Sequence, residues 1–264
     1  MKTFSWLLAS AILFISCSSD DNDTSNAPTN DDQLTESLVE LGVSYGTESR
    51  QFLDIYKAAS ECPTPIYFDA HGNGGNTEMP NSIIEELNAL GITIIAWESL
   101  TAVNSPEEVE TGWDDAELMF QWVMDNADTY NLDVSNMIIG GSSRGSILSW
   151  IYGHRPNPNI KGLYMYNALP NGVWESPSWW LPTENVGLES PPIYFVYRRE
   201  PGSSTDPIEP DIHDPNNGMI IVDQYENLGI GAKANLVHSI GATDNSDKYQ
   251  FLADFAVSVL ETCP

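Results

Sequence analysis

The sequence predicts an α/β fold: a mostly parallel twisted sheet with helices on both faces, preceded by an N-terminal antiparallel hairpin. After about residue 60, short apolar segments alternate with segments whose apolar residues recur at helical spacing. The short segments are apolar at nearly every position, which is typical of strands covered on both faces. In such sheets ligands bind at the carboxyl ends of the strands, so the functional residues are expected there.

The elements follow in chain order. Alternating apolar and polar residues on either side of Gly46 predict a hairpin of two strands, at 39–45 and 51–56. The predicted strands of the parallel part are 65–70, 92–97, the strand that begins at Met137, 160–166, 192–197 and 234–240. The predicted helices are 80–90, which Pro80 opens and Gly91 stops, 113–130, the segment after Ser143, 219–228 and 247–260.

The most informative stretch is 137–148, in which an apolar strand, a tight turn and an apolar helix follow one another. The turn spells G-x-S-x-G, with Gly141 and Gly145 on either side of Ser143. So sharp a turn leaves no room for flanking side chains, and it lifts the serine hydroxyl clear of the backbone. The helix N-terminus behind it favours developing negative charge. The pattern predicts a nucleophilic Ser143; the alternative is a Gly/Ser turn that only packs helix on sheet.

Composition restricts the function classes. The chain has 264 residues, 41% of them hydrophobic, which is enough for one sizeable core. Its formal charge of −28, with only 10 Lys and Arg, argues against binding nucleic acid or anionic lipid headgroups. Histidine, cysteine and aspartate do not cluster at the spacing of metal ligands, so we expect neither a metal nor an organic cofactor.

The amino terminus has the pattern of a targeting segment. Lys2 precedes an apolar run at 6–15, too short to span a bilayer, and Cys17 follows a small residue. This resembles a bacterial lipoprotein signal, with Cys17 lipidated after cleavage, and the acidic residues that follow resemble those of Bacteroidetes-type surface lipoproteins. The alternative is an ordinary secretory signal.

The predicted organisation has three parts. A signal peptide occupies 1–17, a disordered acidic tether 18–38, and the folded domain 39–264. The expected location is the outer membrane, facing the exterior, with a lipid anchor such as palmitate as the only membrane contact. In that oxidising compartment Cys62 and Cys263 either form a disulfide or remain free thiols.

Two motifs together resemble the α/β-hydrolase superfamily, particularly its carboxylesterase and carbohydrate-esterase branch. They are the segment 71–75, His-Gly-Asn-Gly-Gly, and the Ser143 turn, with the helix and turn at 122–133 between them. The resemblance covers about 40–264. It implies an oxyanion hole built from backbone N–H groups near Asn73 and Gly74 and from the N–H of Arg144. Asn73 interrupts the usual run of glycines, and His71 is structural in such motifs.

The catalytic triad departs from that family's pattern. The family order is serine, an acid after the strand at 193–197, then histidine after the last strand. Here the loop 241–247 after the last strand has no histidine, and Asp244 stands where one is expected. Besides His71, the chain has His154, expected on the surface at a helix end, His213 and His238.

Three alternatives remain open. Acid and base could be exchanged between neighbouring loops, with His213 as the base and Asp244 orienting it. Alternatively His238 is the base, with Asp214 or Asp211 as the acid. In the third, no competent base exists. Glu200, which follows the strand at 192–197, is a further acid candidate.

The sequence therefore predicts a surface-anchored serine esterase that acts through an acyl-enzyme. Three tryptophans in the segment 171–182 suggest a lid that stacks on sugar rings or acyl chains, although they could equally pack on the body. The expected substrate is a small-molecule or polysaccharide ester. The competing hypothesis is a non-catalytic glycan-binding lipoprotein on a degenerate hydrolase scaffold, and a peptidase is a weaker one.

Overall fold

The computed structural model of the protein describes residues 35–101, 103, 105–154, 157–169, 183–202, 212–240 and 245–263. All of them belong to one compact unit, Asp32–Pro264. The predicted signal peptide, with Cys17, and residues 18–34 of the predicted tether lie outside the described residues. None of the described helices combines the length and apolar character that crossing a bilayer requires.

One eight-stranded sheet organises the described residues, with the strand order β1-β2-β4-β3-β5-β6-β7-β8. The strands are β1 (Leu38–Ser44), β2 (Phe52–Lys57), β3 (Thr64–Ala70), β4 (Thr93–Trp97), β5 (Leu132–Ser142), β6 (Ile160–Tyr166), β7 (Ile193–Val196) and β8 (Ala234–Val237). β1 and β2 are antiparallel to each other, and β2 is antiparallel to β4. The strands from β4 to β8 in the sheet run parallel. The predicted sheet with an N-terminal antiparallel hairpin is confirmed.

Helices cover both faces of the sheet. They are α1 (Asn81–Ala89), α2 (Pro106–Asp125), α3 (Ala127–Tyr130), α4 (Arg144–His154), α5 (Asn216–Asn227) and α6 (Leu252–Val259). Successive residues of β3 point to opposite sides, so Phe68 belongs to the core that also contains residues of α2, α4 and α5, and Tyr67 to the core that contains residues of α1 and α6. Burial on both faces explains why these strands are apolar at nearly every position.

Several boundaries differ from the predicted ones because local hydrogen bonds decide them. α2 begins at Pro106 instead of residue 113, since the Ser105 hydroxyl caps it by accepting from the Glu108 N–H at 3.2 Å. The last helix begins at Leu252, after a 3-10 turn over Asn245–Tyr249. At the start of the domain, the Thr35 carbonyl accepts from the Ser60 N–H, which attaches residues 35 and 36 to the core.

Cys62 and Cys263 form a disulfide, with their Cα atoms 6.2 Å apart. Of the two alternatives left open by the sequence, the structure therefore has the bonded one. The bond ties the C-terminus to the segment before β3 and closes a loop of 201 residues. Long loops gain most from closure, because more of the unfolded ensemble is excluded.

We expect that replacing both cysteines with serine lowers the free energy of unfolding by about 2–5 kcal/mol. Urea unfolding of the variant and the oxidised protein measures this. Reduction of the wild-type protein is the control and should give the same shift. An unchanged midpoint in both samples would contradict a closed disulfide.

His154, expected on the surface at the end of α4, is instead buried. Its Nδ1–H donates to the Trp150 carbonyl at 3.0 Å, and its ring lies against the Trp150 indole. Desolvation lowers the pKa of His154 to about 4, although the bond to Trp150 opposes the shift. The surface prediction is therefore wrong: tertiary packing, which helix position alone does not reveal, covers the ring.

This burial gives a pH-dependent stability. In the unfolded chain His154 takes up a proton as the pH falls below 6.5. In the folded chain it does so only as the pH approaches about 4. Stability should therefore fall as the pH drops through this window, by up to about 3 kcal/mol from this group. His154→Phe removes the titration and keeps a ring, so unfolding free energies of the two proteins should diverge between pH 6.5 and 4. Parallel curves would contradict the assignment.

Candidate active site

Ser143 lies in the turn between β5 and α4, at the C-terminal end of β5, and has a left-handed φ of 50°. Such a backbone conformation is strained for a residue with a side chain and is enriched at functional sites. The Ser143 N–H donates to the Tyr166 carbonyl at 3.0 Å, and the Ser143 carbonyl accepts from the N–H and hydroxyl of Ser146. These bonds hold the strained residue in place.

The two flanking glycines have no space for a side chain. A Cβ at Gly141 would overlap the Gly145 carbonyl, and a Cβ at Gly145 would overlap the Ala70 carbonyl. Both obstacles are backbone atoms, which cannot move aside independently. The steric reason for glycine at these positions, predicted from the sequence, therefore holds in the structure.

His213 is the histidine that meets the serine. Its Nε2 lies 2.9 Å from the Ser143 Oγ, within proton-transfer reach. His213 is half-buried and belongs to the segment between β7 and α5. Parallel strands bring the ends of β5 and β7 to the same edge of the sheet, which is why residues 70 positions apart become neighbours.

Hydrogen bonds on both sides of His213 fix its backbone. The Asn217 side-chain amide donates to the Ile212 carbonyl at 3.0 Å, and the Asn217 N–H donates to the Asp214 carbonyl at 3.0 Å. The Asp214 carboxylate accepts from the N–H of Gly202 at 2.7 Å and from the N–H of Asn216 at 2.9 Å. The histidine is thus held at the entrance to α5 by side chains whose own positions are fixed.

Asp214, one of the two alternative acids, therefore uses both carboxylate oxygens on backbone donors and is buried. Asp244, the preferred acid, and Asp211, the other alternative, lie outside the described residues. The segment 171–182, with its three tryptophans, also lies outside the described residues.

We expect Asp214→Ala to lower stability by about 1–3 kcal/mol, because two backbone N–H groups lose their acceptor. Asp214→Asn retains one acceptor oxygen and should lose less. In activity, a positioning role predicts that the Asn variant keeps most of the turnover. A loss near 10⁴-fold in Asp214→Asn would instead identify it as the acid that orients the histidine.

His238, the alternative base, has other neighbours. β8 ends at Val237, and the His238 Nδ1 lies 2.6 Å from the Ser239 Oγ and 3.6 Å from a Glu200 carboxylate oxygen. Its side chain is about one-third exposed, with a relative accessibility of 35%. His238 and Glu200 therefore contact each other at the surface. The hydrogen bond of the Ser143 hydroxyl is made with His213.

The segment 71–75 lies directly against the serine. A Cβ at Gly72 would stand 3.2 Å from the Ser143 Cβ, so this glycine permits the close approach. The Gly75 N–H donates to the Gly72 carbonyl at 3.0 Å, and Gly74 has a φ of 71°. This turn leaves Asn73 and Gly74, the predicted oxyanion donors, exposed at the edge next to Ser143.

Arg144, the third predicted donor through its backbone, has an unexpected side chain. The guanidinium is buried, and it lies with His71 and Glu98 in one cluster behind the 71–75 segment. The His71 Nε2 lies 2.8 Å from a Glu98 carboxylate oxygen. The His71 ring is thus buried and bound to Glu98, which agrees with the structural role expected of it.

Sequence reasoning missed three residues that support the site: Glu98, Ser146 and Asn217. Glu98 directly follows β4, and a carboxylate at the end of a buried strand was the available signal. Ser146 is fully buried, and its hydroxyl links Ser143 to the Leu169 N–H. Nothing in the local pattern around Asn217 distinguishes it from an ordinary helix-start residue. In the described part of the chain, His, Cys, Asp and Glu form no group of three arranged to hold a metal ion.

Comparison with known proteins gives a fold. No protein-family model matches the sequence, and no curated protein matches it significantly. A truncated form of a carbohydrate esterase from gut microbiota matches in structure with a TM-score of 0.61 at 17% identity, covering 85% of this chain and 96% of that one. A bifunctional GH43-CE of Bacteroides eggerthii matches with a TM-score of 0.63 at 11% identity, covering 83% of this chain and 38% of that one.

A third solved structure is Thermogutta terrifontis esterase 2 phosphorylated by paraoxon. It matches with a TM-score of 0.58 at 15% identity and covers 83% of this chain and 91% of that one. Together with the sheet order and the Ser143 turn, these similarities define the protein as one with an α/β-hydrolase fold. At this level of identity the similarity establishes the fold, and the activity has to be argued from the site.

Proposed function

We propose that the protein is a serine esterase in which Ser143 is the nucleophile and His213 the base. The observation that carries this proposal is the 2.9 Å separation between the Ser143 Oγ and the His213 Nε2. A strained serine at a strand-to-helix turn, next to an imidazole and a glycine-rich segment, is the arrangement that acyl transfer requires.

The reaction proceeds in two halves. His213 takes the hydroxyl proton through Nε2 while the Ser143 Oγ attacks the ester carbonyl carbon, which gives a tetrahedral intermediate. The intermediate collapses to an acyl-enzyme, and His213 returns the proton to the departing alcohol oxygen. Water, deprotonated by the same Nε2, then attacks the acyl carbon and gives a second tetrahedral intermediate. Its bond to the Ser143 Oγ breaks, the Oγ takes the proton back from Nε2, and the carboxylic acid leaves.

The oxyanion of each intermediate needs donors opposite the base. The N–H groups of Asn73, Gly74 and Arg144 are the proposed donors, since the 71–75 segment lies against Ser143. Preorganised donors of this kind contribute about 3–4 kcal/mol each to transition-state stabilisation. Asp244 is the proposed acid that orients His213, which exchanges acid and base relative to the usual chain order.

The proposed substrate is an acyl ester on an oligosaccharide or polysaccharide. Two of the structurally similar proteins are described as a carbohydrate esterase and as a GH43-CE, which supports this substrate class. Lipidation at Cys17 and an outer-membrane location facing the exterior would bring the enzyme to extracellular glycans. Replacement of Cys17 by alanine should then move the protein from the membrane fraction to the soluble fraction.

Steady-state hydrolysis of p-nitrophenyl acetate tests the activity, and acetate release from acetylated xylo-oligosaccharides tests the substrate class. The proposal predicts turnover of both, with a higher kcat/KM on the oligosaccharide ester. Turnover of the small ester alone would reject the proposed saccharide substrate. Turnover of neither ester would favour the alternative, a non-catalytic glycan-binding protein on a hydrolase scaffold.

A further inference from the structure

Three ionisable side chains come together at the carboxyl ends of three adjacent strands. His71 follows β3, Glu98 follows β4, and Arg144 follows the serine at the end of β5. All three are buried, and Arg144 is only 1% exposed. Since charged residues are rarely buried without a partner, the contacts among these three require an explanation.

The Arg144 guanidinium contacts the first residue of the glycine-rich segment. Its Nη2 donates to the His71 carbonyl at 3.2 Å, with Nε 3.4 Å from the same oxygen, and Nη2 lies 3.5 Å from Glu98. The Arg144 side chain thus binds the His71 carbonyl, at the start of the segment that carries the proposed oxyanion donors.

Glu98 joins the other two members. Its carboxylate accepts from the Ser99 N–H at 2.9 Å, faces the His71 Nε2 at 2.8 Å and faces Arg144. Burial raises the pKa of Glu98, but the hydrogen bond and charge of His71, the Ser99 N–H and the Arg144 charge together lower it below its usual value. The carboxylate is therefore the ionised counter-charge of the cluster.

The His71 ring completes the connection. Its Nδ1 lies 2.8 Å from the Gly72 carbonyl, so an N–H there donates within the segment itself, and its Nε2 faces Glu98. The cluster consequently holds the carbonyls of His71 and Gly72, and the Gly72 carbonyl belongs to the same peptide group as the Asn73 N–H.

We propose that the Arg144 side chain is a positioning residue that, with Glu98 and His71, holds the 71–75 segment at the distance from Ser143 that the oxyanion hole requires. This inference deepens the proposed function and rests on it. Arg144 then acts twice: its backbone N–H is a donor to the oxyanion, and its side chain sets where the opposing donors stand.

Stability alone is a poor explanation for this cluster. Replacing buried ion pairs with apolar side chains of similar size is often neutral or stabilising. The Arg144 Nη1 is also buried and has no hydrogen-bond partner among the described residues, which adds an energetic cost. Catalysis, by contrast, is sensitive to displacements of about 1 Å, which can reduce the rate about 100-fold.

The chain offers a matched control in Lys57. This lysine is also fully buried, and its Nζ donates to main-chain carbonyls, those of Ala58 at 2.7 Å and Glu36 at 3.2 Å. It lies at the opposite end of the sheet, where the Ala58 N–H meets the Thr93 hydroxyl at the start of β4. Lys57→Met and Arg144→Met therefore each remove a buried cation bound to backbone oxygens, but only the second touches the 71–75 segment.

Kinetics of p-nitrophenyl acetate hydrolysis separate the two roles. Arg144→Met keeps its backbone N–H, so we expect kcat to fall about 30- to 100-fold with KM within about threefold of wild type. Arg144→Lys should recover part of kcat, and Glu98→Gln, which keeps its shape, should lose about 5- to 10-fold. Lys57→Met should leave kcat unchanged.

A kcat within twofold of wild type in folded Arg144→Met would overturn the proposal. If that variant does not fold, Glu98→Gln decides in the same way. Backbone amide exchange provides a readout that is independent of turnover: Gly72, Asn73 and Gly74 should exchange faster in Arg144→Met than in Lys57→Met. If wild type hydrolyses no ester, the proposed function fails, and equal exchange in the two variants would then reject the positioning role by itself.

Discussion

Replacement of Ser143 by alanine is expected to reduce kcat for ester hydrolysis by at least about 10⁴-fold, because it removes the hydroxyl on which the proposed acyl-enzyme forms. The fold should survive, since the Ser143 hydroxyl lies at the C-terminal ends of the strands, where it bonds to His213. Circular dichroism and p-nitrophenyl acetate turnover on the same preparation measure both effects.

A second substitution at the same position tests the strain. The φ of 50° at Ser143 costs an L-residue about 1–2 kcal/mol and costs glycine very little. Ser143→Gly should therefore unfold at a higher urea concentration than Ser143→Ala, with a difference of about 1 kcal/mol, and both should be inactive. An equally stable pair would mean that the turn is unstrained, and an active Ala variant would exclude Ser143 as the nucleophile.

The second large effect is expected at His213. Its replacement by alanine removes the proton acceptor 2.9 Å from the Ser143 Oγ, and kcat should fall by about 10³- to 10⁴-fold. His238→Ala is the matched control, because His238 contacts Ser239 and Glu200 at the surface. We expect this control to keep wild-type kcat within about twofold.

The opposite result, with His238→Ala inactive and His213→Ala active, would identify His238, directly after the last strand, as the base. If both variants keep full activity, neither histidine accepts the proton. In either case the Ser143–His213 hydrogen bond would have no catalytic meaning. The pair of variants thus distinguishes the alternatives that the sequence left open.

Much of the fold could be predicted because local patterns carry it. The buried parallel strands are apolar at nearly every position, and the G-x-S-x-G turn has a steric cause that a single sequence reveals. Boundaries were less predictable where one side chain decides them. The start of α2 depends on the cap at Ser105, which apolar periodicity does not register.

The site could be predicted only in part, because its members meet through the sheet. Ser143 is marked by its own neighbours in sequence, whereas the choice between His213 and His238 depends on where two loops end up in space. The cluster of His71, Glu98 and Arg144 joins the ends of three strands, and its members stand up to 73 positions apart. His154 was mistaken for a surface residue for the same reason: packing by distant elements buries it.

The measurement that tests the central claim most directly is covalent labelling by a fluorophosphonate, followed by peptide mass spectrometry. A serine activated by an adjacent imidazole attacks the phosphorus and retains the phosphonyl group. We expect one adduct per chain, on Ser143, formed at the wild-type rate in His238→Ala and far more slowly in His213→Ala. Absence of an adduct on Ser143 in the folded wild-type protein, or equally fast labelling of His213→Ala, would contradict it.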